Sequence, residues 1–251
     1  MPDSPKAEEA SLTAFVTGAG IRVGRAIALE LARAGYDVIL HAHSSRASLE
    51  TLAREIRDLG RDAFMVSADL SDPAEVERLA HGVRDMHPRL DLVVHNAGIY
   101  EARPFDRVSR EDYRRMQAIN VEAPFFLTQQ LLPSLNASPA PSVIHLGDIG
   151  GERPVPGFSH YSVSKAALLM LTKALAVELA PKIRVNAISP GTVAFPPGLD
   201  SEAKQEILDR IPMEREGTVE DVAKAVVFLA RHAPYVTGHV LDVDGGRSAM
   251  L

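Results

Sequence analysis

The chain has 251 residues and contains no cysteine, which excludes disulfide bonds, thiol catalysis and metal sites built on thiolates. No apolar run approaches the roughly eighteen residues that a membrane-spanning helix needs. No long basic run occurs and the net charge is −6, so nucleic-acid binding and a membrane-surface role are both disfavoured. The first residues, MPDSPKAEEASL, are polar and acidic, unlike a secretory signal. These absences favour a cytoplasmic globular protein, with a flexible tail over residues 1–10.

Short apolar runs alternate with amphipathic stretches along the whole chain. The runs predict strands over 12–18, 36–42, 62–70, 90–98, 141–148, 183–191 and 239–246. The stretches predict helices over 22–35, 48–60, 73–86, 161–180 and 219–231, with further helix between 108 and 135. Such alternation is typical of a parallel sheet covered on both faces. The sequence therefore predicts an α/β fold, a single-domain doubly wound parallel sheet (Rossmann fold) over 11–251, with ligands at the carboxyl ends of its strands.

A glycine-rich stretch, TGAGIRVG, separates the first predicted strand from the first helix. Gly18, Gly20 and Gly24 would let the backbone turn tightly and approach a pyrophosphate at the helix N-terminus. Arg22, followed by Val23, stands where the commonest loops of this kind carry another glycine. An ordinary strand–helix turn is the alternative, but the position after the first strand favours a dinucleotide site.

The residues that follow the second strand indicate which dinucleotide binds. Proteins that prefer NAD usually place a carboxylate there to bind the ribose 2′-hydroxyl. Here the sequence reads LHAHSSRAS, with His41, His43, Ser44 and Ser45 and no acidic residue. Hydroxyl, imidazole and guanidinium groups suit a 2′-phosphate, so NADPH is the predicted cofactor.

The stretch YSVSK places Tyr161 and Lys165 four residues apart on one predicted helix. An ammonium beside a phenol favours the phenolate and lowers the pKa of the tyrosine. Tyr161 is therefore a candidate proton donor to a substrate that is reduced by hydride. A pair at this spacing also occurs by chance, so the pair alone is weak support.

Taken together, these stretches resemble the short-chain dehydrogenase/reductase family over nearly the whole chain. The further matches, in the order in which the family has them, are ADL, HNAG, AIN, SPGTV and the final VDGG. The resemblance implies that Asn120 helps to hold a proton-relay water, that Lys165 also binds the nicotinamide ribose, and that the protein is a homotetramer. It also implies cofactor contacts from residues in ADL, HNAG and SPGTV: Asp69, Leu70, Asn96, Ala97, Gly98, Pro190, Gly191 and Val193.

Asp148 departs from the family pattern, which has a serine thirteen residues before the tyrosine. A carboxylate repels a developing alkoxide, whereas it can accept hydrogen bonds from the N–H groups of a nitrogen heterocycle. Together with Arg22, it makes the sequence resemble the pteridine reductase branch, in which the arginine lies over the cofactor phosphates and reaches the pterin. Tyr100 matches an aromatic residue that stacks on the pterin ring. Gly98 and Tyr100 depart from that branch, where serine and phenylalanine occur.

The sequence therefore predicts NADPH-dependent reduction of dihydropterins, of dihydrofolate or of both. The predicted catalytic residues are Asp148, Tyr161, Lys165 and Asn120, and the predicted substrate contacts are Arg22, Tyr100, Asp148 and Tyr161. A carbonyl reductase of the 3-oxoacyl or sugar type, and a non-catalytic dinucleotide sensor, are the alternatives. The histidines lack the spacing of metal ligands, so no metal site is predicted. A substrate lid is predicted over 192–216.

Overall fold

The strands all belong to one sheet in the computed structural model, which describes residues 11–195, 198 and 200–250. Along the described chain they are β1 (Leu12–Val16), β2 (Tyr36–Ala42), β3 (Ala63–Ser67), β4 (Leu92–His95), β5 (Ser142–Leu146), β6 (Arg184–Pro190) and β7 (Val240–Val243). Every pairing is parallel and the spatial order is β3-β2-β1-β4-β5-β6-β7. The order reverses between β1 and β4, which opens a crevice at their carboxyl ends. The predicted fold class is confirmed.

Helices connect the strands and end largely where the sequence predicts. In the described residues they are α1 (Arg22–Arg33), α2 (Arg46–Asp58), α3 (Pro73–Met86), α4 (Arg110–Gln117), α5 (Ala123–Asn136), α6 (Ser159–Glu178), α7 (Ser201–Leu208) and α8 (Val219–Val227). Gly35 follows α1 with a φ of +94°, the left-handed conformation in which glycine commonly ends a helix. Asp72 starts α3 by accepting a hydrogen bond from the Ala74 backbone N–H at 2.8 Å.

Successive residues of the central strands point into two different core layers. Val16 and Leu40 belong to the layer that includes side chains of α1, α2 and α8. Phe15 and Ile39 belong to the layer that includes side chains of α3, α5 and α6. Burial on both faces explains why these strands are continuous apolar runs rather than alternating patterns.

The helical region predicted between 108 and 135 is not one regular helix. A single π-helical turn, Ala118–Glu122, joins α4 to α5, and Asn120 lies within it. The predicted tail over residues 1–10, and residues 196, 197 and 199 of the predicted lid, lie outside the described residues. None of the helices within the described ranges is long and apolar enough to cross a membrane.

Candidate active site

The predicted phosphate loop turns between β1 and α1 at Gly18, whose φ of +65° lies in the left-handed region. A Cβ atom on Gly24 would lie 2.1 Å from the carbonyl oxygen of Gly18, so only glycine fits there. Asn96 Nδ2 donates to the carbonyl oxygens of Thr17 (3.0 Å) and Gly18 (2.9 Å), which ties the loop to the end of β4. A loop of bare backbone at the start of a helix is the cradle that a dinucleotide pyrophosphate fits.

His41 lies beneath this loop and is only 2% exposed. Its Nδ1 accepts a hydrogen bond from the Gly18 backbone N–H (3.3 Å), which leaves Nε2 to donate to the Ala68 carbonyl oxygen (3.1 Å). Burial lowers the pKa of His41, so the ring is neutral near pH 7. Both ring nitrogens are thus bound within the protein, and a contact of His41 with the cofactor stays a prediction.

The other polar residues after β2 form an open polar rim, which we define as His43, Ser44 and Ser45. His43 and Ser44 are exposed, and Ser45 is half-buried immediately before α2. The glycine loop passes close to this rim, since a Cβ atom on Gly20 would lie 3.3 Å from Ser45 Cβ. His43 Nε2 lies 4.0 Å from Asp69 Oδ2, so the rim and Asp69 share one edge of the sheet.

Asp69 and Leu70 follow β3, where Asp69 is partly exposed and Leu70 is buried. The Asp69 carboxylate accepts hydrogen bonds from the Ser71 backbone N–H (2.8 Å) and hydroxyl (2.7 Å), which lower its pKa. Leu70 is buried in the core layer that includes Val76 and Leu79 of α3. The Leu70 side chain thus packs in the core, and contacts of Leu70 and Asp69 with the cofactor stay predictions.

Tyr161 and Asp148 meet at the carboxyl end of β5. The Tyr161 hydroxyl donates to Asp148 Oδ2 at 2.8 Å, and the Gly150 backbone N–H donates to Oδ1 at 2.6 Å. Burial, followed by the negative charge of Asp148, raises the pKa of Tyr161 well above its usual value. The pKa of Tyr161 is thus raised rather than lowered as predicted, because burial and the Asp148 carboxylate dominate it. The phenol holds its proton.

Lys165 lies one turn further along α6 and is almost fully buried. Its Nζ donates to the Leu146 carbonyl oxygen at 2.7 Å and lies 5.7 Å from the centroid of the Tyr161 ring. Burial lowers the pKa of Lys165 to about 8, against the opposing effect of the Asp148 charge. An ammonium has three N–H donors, so the hydrogen bond to Leu146 leaves donors for a ribose hydroxyl in the cleft.

Asn120 fastens the loop after β4 to α6. Its Oδ1 accepts from the Ile99 backbone N–H at 3.0 Å, and its Nδ2 donates to Ser164 Oγ at 3.0 Å. The side chain is thus hydrogen-bonded within the protein, and the part of Asn120 in holding a relay water stays a prediction. Its proximity also explains Gly98, where a Cβ atom would lie 3.2 Å from Asn120 Oδ1 and 3.7 Å from Lys165 Nζ.

Two stacked rings, Tyr100 and Phe158, form what we define as the aromatic wall of the site. Their centroids are 4.4 Å apart and their planes differ by 11°. Tyr100 also meets the Tyr161 ring edge-on at 4.8 Å, which places the wall beside the Tyr161–Asp148 pair. Phe158 is not among the predicted site residues, although an aromatic residue three positions before Tyr161 is a visible signal in the sequence.

Arg22 and Val23 open α1 with different roles. Arg22 has a φ of +49°, which is uncommon for a residue with a Cβ atom, and its Nη2 donates to the Ala194 carbonyl oxygen at 2.9 Å. Val23 is half-buried against the core. The guanidinium therefore links the glycine loop to the segment after β6, and its contacts with phosphates and substrate stay predictions.

The loop after β6 contains the remaining predicted cofactor residues, beginning at Pro190, which ends the strand. The Gly191 backbone N–H donates to the Val243 carbonyl oxygen at 3.0 Å, and a Cβ atom on Gly191 would lie 2.7 Å from Asp244 Cβ. Val193 forms a parallel bridge with Gly217. The loop is thereby held at the same carboxyl edge as the glycine loop. Within the described ranges, no group of three histidine or acidic residues is arranged to hold a metal ion.

Comparisons with known proteins agree with this geometry. A family model described as enoyl-(acyl carrier protein) reductase matches residues 18–248. The 3-oxoacyl-[acyl-carrier-protein] reductase FabG of Staphylococcus aureus is 34% identical over 93% of this chain and 97% of its own length. An uncharacterised oxidoreductase of Mycobacterium tuberculosis is 36% identical over 93% of this chain and 90% of its own length.

Solved structures give the same result. A blue fluorescent protein from a metagenomic library, in complex with NADPH, has a TM-score of 0.87 and 34% identity over 94% of this chain and 97% of its own. A putative short-chain alcohol dehydrogenase from Sinorhizobium meliloti has a TM-score of 0.89 and 30% identity, covering 96% and 97%. The predicted cofactor agrees with the NADPH complex, while the pteridine branch stays a prediction. The chain belongs to the short-chain dehydrogenase/reductase family of oxidoreductases.

Proposed function

We propose that the protein uses NADPH to reduce a C=N bond in a dihydropterin or a related bicycle such as dihydrofolate. The observation that carries this proposal is the hydrogen bond from the Tyr161 hydroxyl to the Asp148 carboxylate at 2.8 Å. Asp148 stands where the family normally has a serine that binds a carbonyl. An ionised carboxylate repels the oxyanion of a ketone reduction, whereas it accepts hydrogen bonds from the N–H groups of a pterin.

The chain supplies the proton of this reduction. NADPH, when bound, supplies a hydride to the ring carbon, so the adjacent nitrogen needs one proton. The Tyr161 hydroxyl is the proposed donor, because burial and Asp148 keep it protonated. Lys165, held by the Leu146 carbonyl oxygen, stabilises the negative charge that remains on Tyr161. For a second reduction, a water held near Arg22 is an alternative donor.

The cofactor fits the residues at the crevice. The glycine loop offers backbone N–H groups to the pyrophosphate, and Lys165 has N–H donors left for a ribose. The polar rim offers hydroxyl groups and an exposed imidazole at the end of β2, and none of its own three residues is acidic. This combination supports NADPH rather than NADH.

The aromatic wall supports a flat substrate. Phe158 holds the Tyr100 ring in place by stacking, while Tyr100 is still 61% exposed. A flat bicycle stacked against an aromatic ring gains about 0.5–1.5 kcal/mol beyond its buried area. Its edge would then meet Asp148 and Tyr161, which lie beside the wall.

A second candidate is reduction of a 3-oxoacyl thioester. The similarity to reductases of this name favours it, at 34% identity for the Staphylococcus aureus protein and 32% for that of Thermotoga maritima. Tyr161 and Lys165 would serve this reaction equally well. Asp148 is the residue that separates the two candidates, because it replaces the carbonyl-binding serine.

NADPH oxidation measured in parallel on dihydrobiopterin, dihydromonapterin, dihydrofolate and an acetoacetyl thioester tests the proposal. We expect the highest kcat/KM on a pterin or folate, and a loss of about a hundredfold or more in Tyr161→Phe. A preference for the thioester would establish the second candidate instead. No turnover of any of the four, with NADPH bound, would favour a dinucleotide-sensing protein.

A further inference from the structure

Three described residues other than glycine have left-handed backbones: Arg22 (φ +49°), Ala194 (φ +60°) and Glu214 (φ +54°). Such a conformation is unfavourable for a residue with a Cβ atom and persists only where the surroundings enforce it. Arg22 and Ala194 are 172 positions apart in the sequence, yet Arg22 Nη2 donates to the Ala194 carbonyl oxygen at 2.9 Å. Two of the three strained residues are thus joined directly to each other.

Ala194 lies where the 192–216 segment leaves the sheet. The Gly217 backbone N–H donates to the Thr192 carbonyl oxygen at 3.0 Å, and the Phe195 backbone N–H donates to Glu216 Oε2 at 3.1 Å. These hydrogen bonds clamp the two ends of the segment together. Between them, the described helix α7 has no buried residue, so little core packing holds it. Beyond α7 the segment is held by the buried side chain of Ile211 and by the Met213 backbone N–H, which donates to the Gly245 carbonyl oxygen at 3.2 Å. Its beginning is held by the hydrogen bonds around Ala194.

The hydrogen bond from Arg22 to Ala194 connects the glycine loop to the clamped start of this segment. Arg22 also begins α1, so its backbone lies at the helix N-terminus, the end of a helix that favours a phosphate. A guanidinium has five N–H donors in a rigid plane, so it can bind the Ala194 carbonyl oxygen and a phosphate at once.

We propose that Arg22 is a positioning residue for the 192–216 segment, which it holds by fixing the left-handed backbone of Ala194. This role is separate from contact with cofactor phosphates, since the hydrogen bond to Ala194 needs no cofactor. It couples the loop that cradles the pyrophosphate to the segment beside the substrate. Arg22 thereby sets the starting point of that segment before any ligand arrives.

Amide hydrogen exchange of the cofactor-free protein tests this role in Arg22→Met. The Phe195 and Gly217 amides should exchange about fivefold faster than in the wild type, because the clamp loses its hydrogen bond from a charged donor. Arg33→Met is the matched control, since Arg33 lies at the other end of α1 and pairs with Glu30. It should leave both amides unchanged. Unchanged exchange in Arg22→Met, with the sheet amides still protected, would overturn the proposal.

A double-mutant cycle with Ala194→Gly tests whether Arg22 acts through the backbone of Ala194. Glycine adopts a φ of +60° at little cost, so position 194 would no longer need Arg22 to hold its backbone. The Arg22→Met effect on exchange should then fall to less than about twofold. An effect of the same size in both backgrounds would show that Arg22 does not act through Ala194. Neither measurement involves a substrate, so their outcome is independent of whether the proposed function is correct.

Discussion

Asp148 is the residue on which the choice between pterin and ketone chemistry depends. We predict that Asp148→Ser lowers kcat/KM for dihydrobiopterin by about thirty- to a hundredfold, because a hydroxyl offers no anionic partner to the ring N–H groups. This loss corresponds to about 2–3 kcal/mol for one charge-assisted hydrogen bond. Steady-state kinetics of the two proteins measure it directly.

NADPH affinity and ketone reduction by the same variant, Asp148→Ser, serve as controls. Asp148 bonds to Tyr161 and Gly150 rather than to the glycine loop, so NADPH affinity should change little. The serine restores the group that the family uses for carbonyls, and activity on a simple activated ketone should rise. If Asp148→Ser reduced pterins as well as the wild type does, the pterin assignment would be wrong.

The lowered pKa of Lys165 implies a pH dependence of kcat/KM. Burial lowers its pKa to about 8, so the ammonium that supports Tyr161 is lost above that pH. We expect kcat/KM to fall about tenfold per pH unit above pH 8, since kcat/KM reports the groups of the free enzyme. A profile that stays flat to pH 9.5 would contradict this assignment.

The effect of Lys165 on the stability of the fold has the opposite pH dependence, so unfolding does not explain a loss of activity above pH 8. Its pKa is about 8 in the folded protein and 10.5 in the reference state, so the unfolded chain binds more protons between these values. The contribution of Lys165 to stability therefore rises with pH across this window. Thermal unfolding measured at pH 8 and 9.5 separates loss of charge from loss of fold.

The sequence predicts which residues lie at the site better than it predicts the hydrogen-bonding and stacking partners of their side chains. Tyr161 and Lys165 could be chosen from their spacing of four residues on one predicted helix, and Asp148 from its place in the family pattern. The role of His41 could not be predicted, because only the folded loop shows that Gly18 and Ala68 occupy both of its nitrogens. The position of Phe158 near Tyr161 is visible in the sequence, but its stacking on Tyr100, 58 positions away, is not.

Two glycines, Gly24 in the glycine loop and Gly82 in α3, differ in whether the surrounding structure leaves space for a Cβ atom. A Cβ atom on Gly24 would collide with the Gly18 carbonyl oxygen, whereas a Cβ atom on Gly82 would meet nothing within 4 Å. We predict that Gly24→Ala weakens NADPH binding by about a hundredfold or more through displacement of the loop. Gly82→Ala, inside a helix, should instead stabilise the protein by about 0.5–1 kcal/mol. Titration and thermal unfolding of both variants test the contrast.

The turn between β2 and α2 predicts the choice of cofactor. Ser44, Ser45 and His43 offer hydrogen bonds to a 2′-phosphate, and each charge-assisted contact is worth about 1.5–3 kcal/mol. NADPH should therefore bind at least about tenfold more tightly than NADH. Equal affinities in a direct titration would disprove the role of the polar rim. His41 is not part of this prediction, because it is buried under the loop.

At the scale of the elements, the strands were predictable because burial on both faces makes them apolar runs, as in LVV of β4 and AFV of β1. The break between α4 and α5 was not predictable. A π-helical turn shifts the side-chain register by one residue without a glycine or a change in polarity to mark it. That shift is what turns Asn120 towards Ile99 and Ser164.

For the whole molecule, we predict a homotetramer, as the family resemblance implies. Helices α5 and α6 also expose several large apolar side chains: Phe125, Phe126, Val163, Met170 and Val177. Sedimentation velocity should give about four times the 27.1 kDa chain mass. Val177→Lys should shift the protein to smaller species, while Leu59→Lys, an exposed apolar residue beyond α2, should not. A wild-type monomer would contradict the prediction.

The strand order has a consequence for how the protein acquires activity. Gly18 follows β1, Asn96 follows β4, Asp148 follows β5, and the partner of Arg22 follows β6, so the cleft exists only once these four strands are paired. Contacts between residues so distant in sequence form late, because a long chain must first be closed into loops. Helices can form earlier from local contacts. During refolding, recovery of turnover should therefore lag behind recovery of helical signal, and a chain still lacking β6 during synthesis would have helices but no working site.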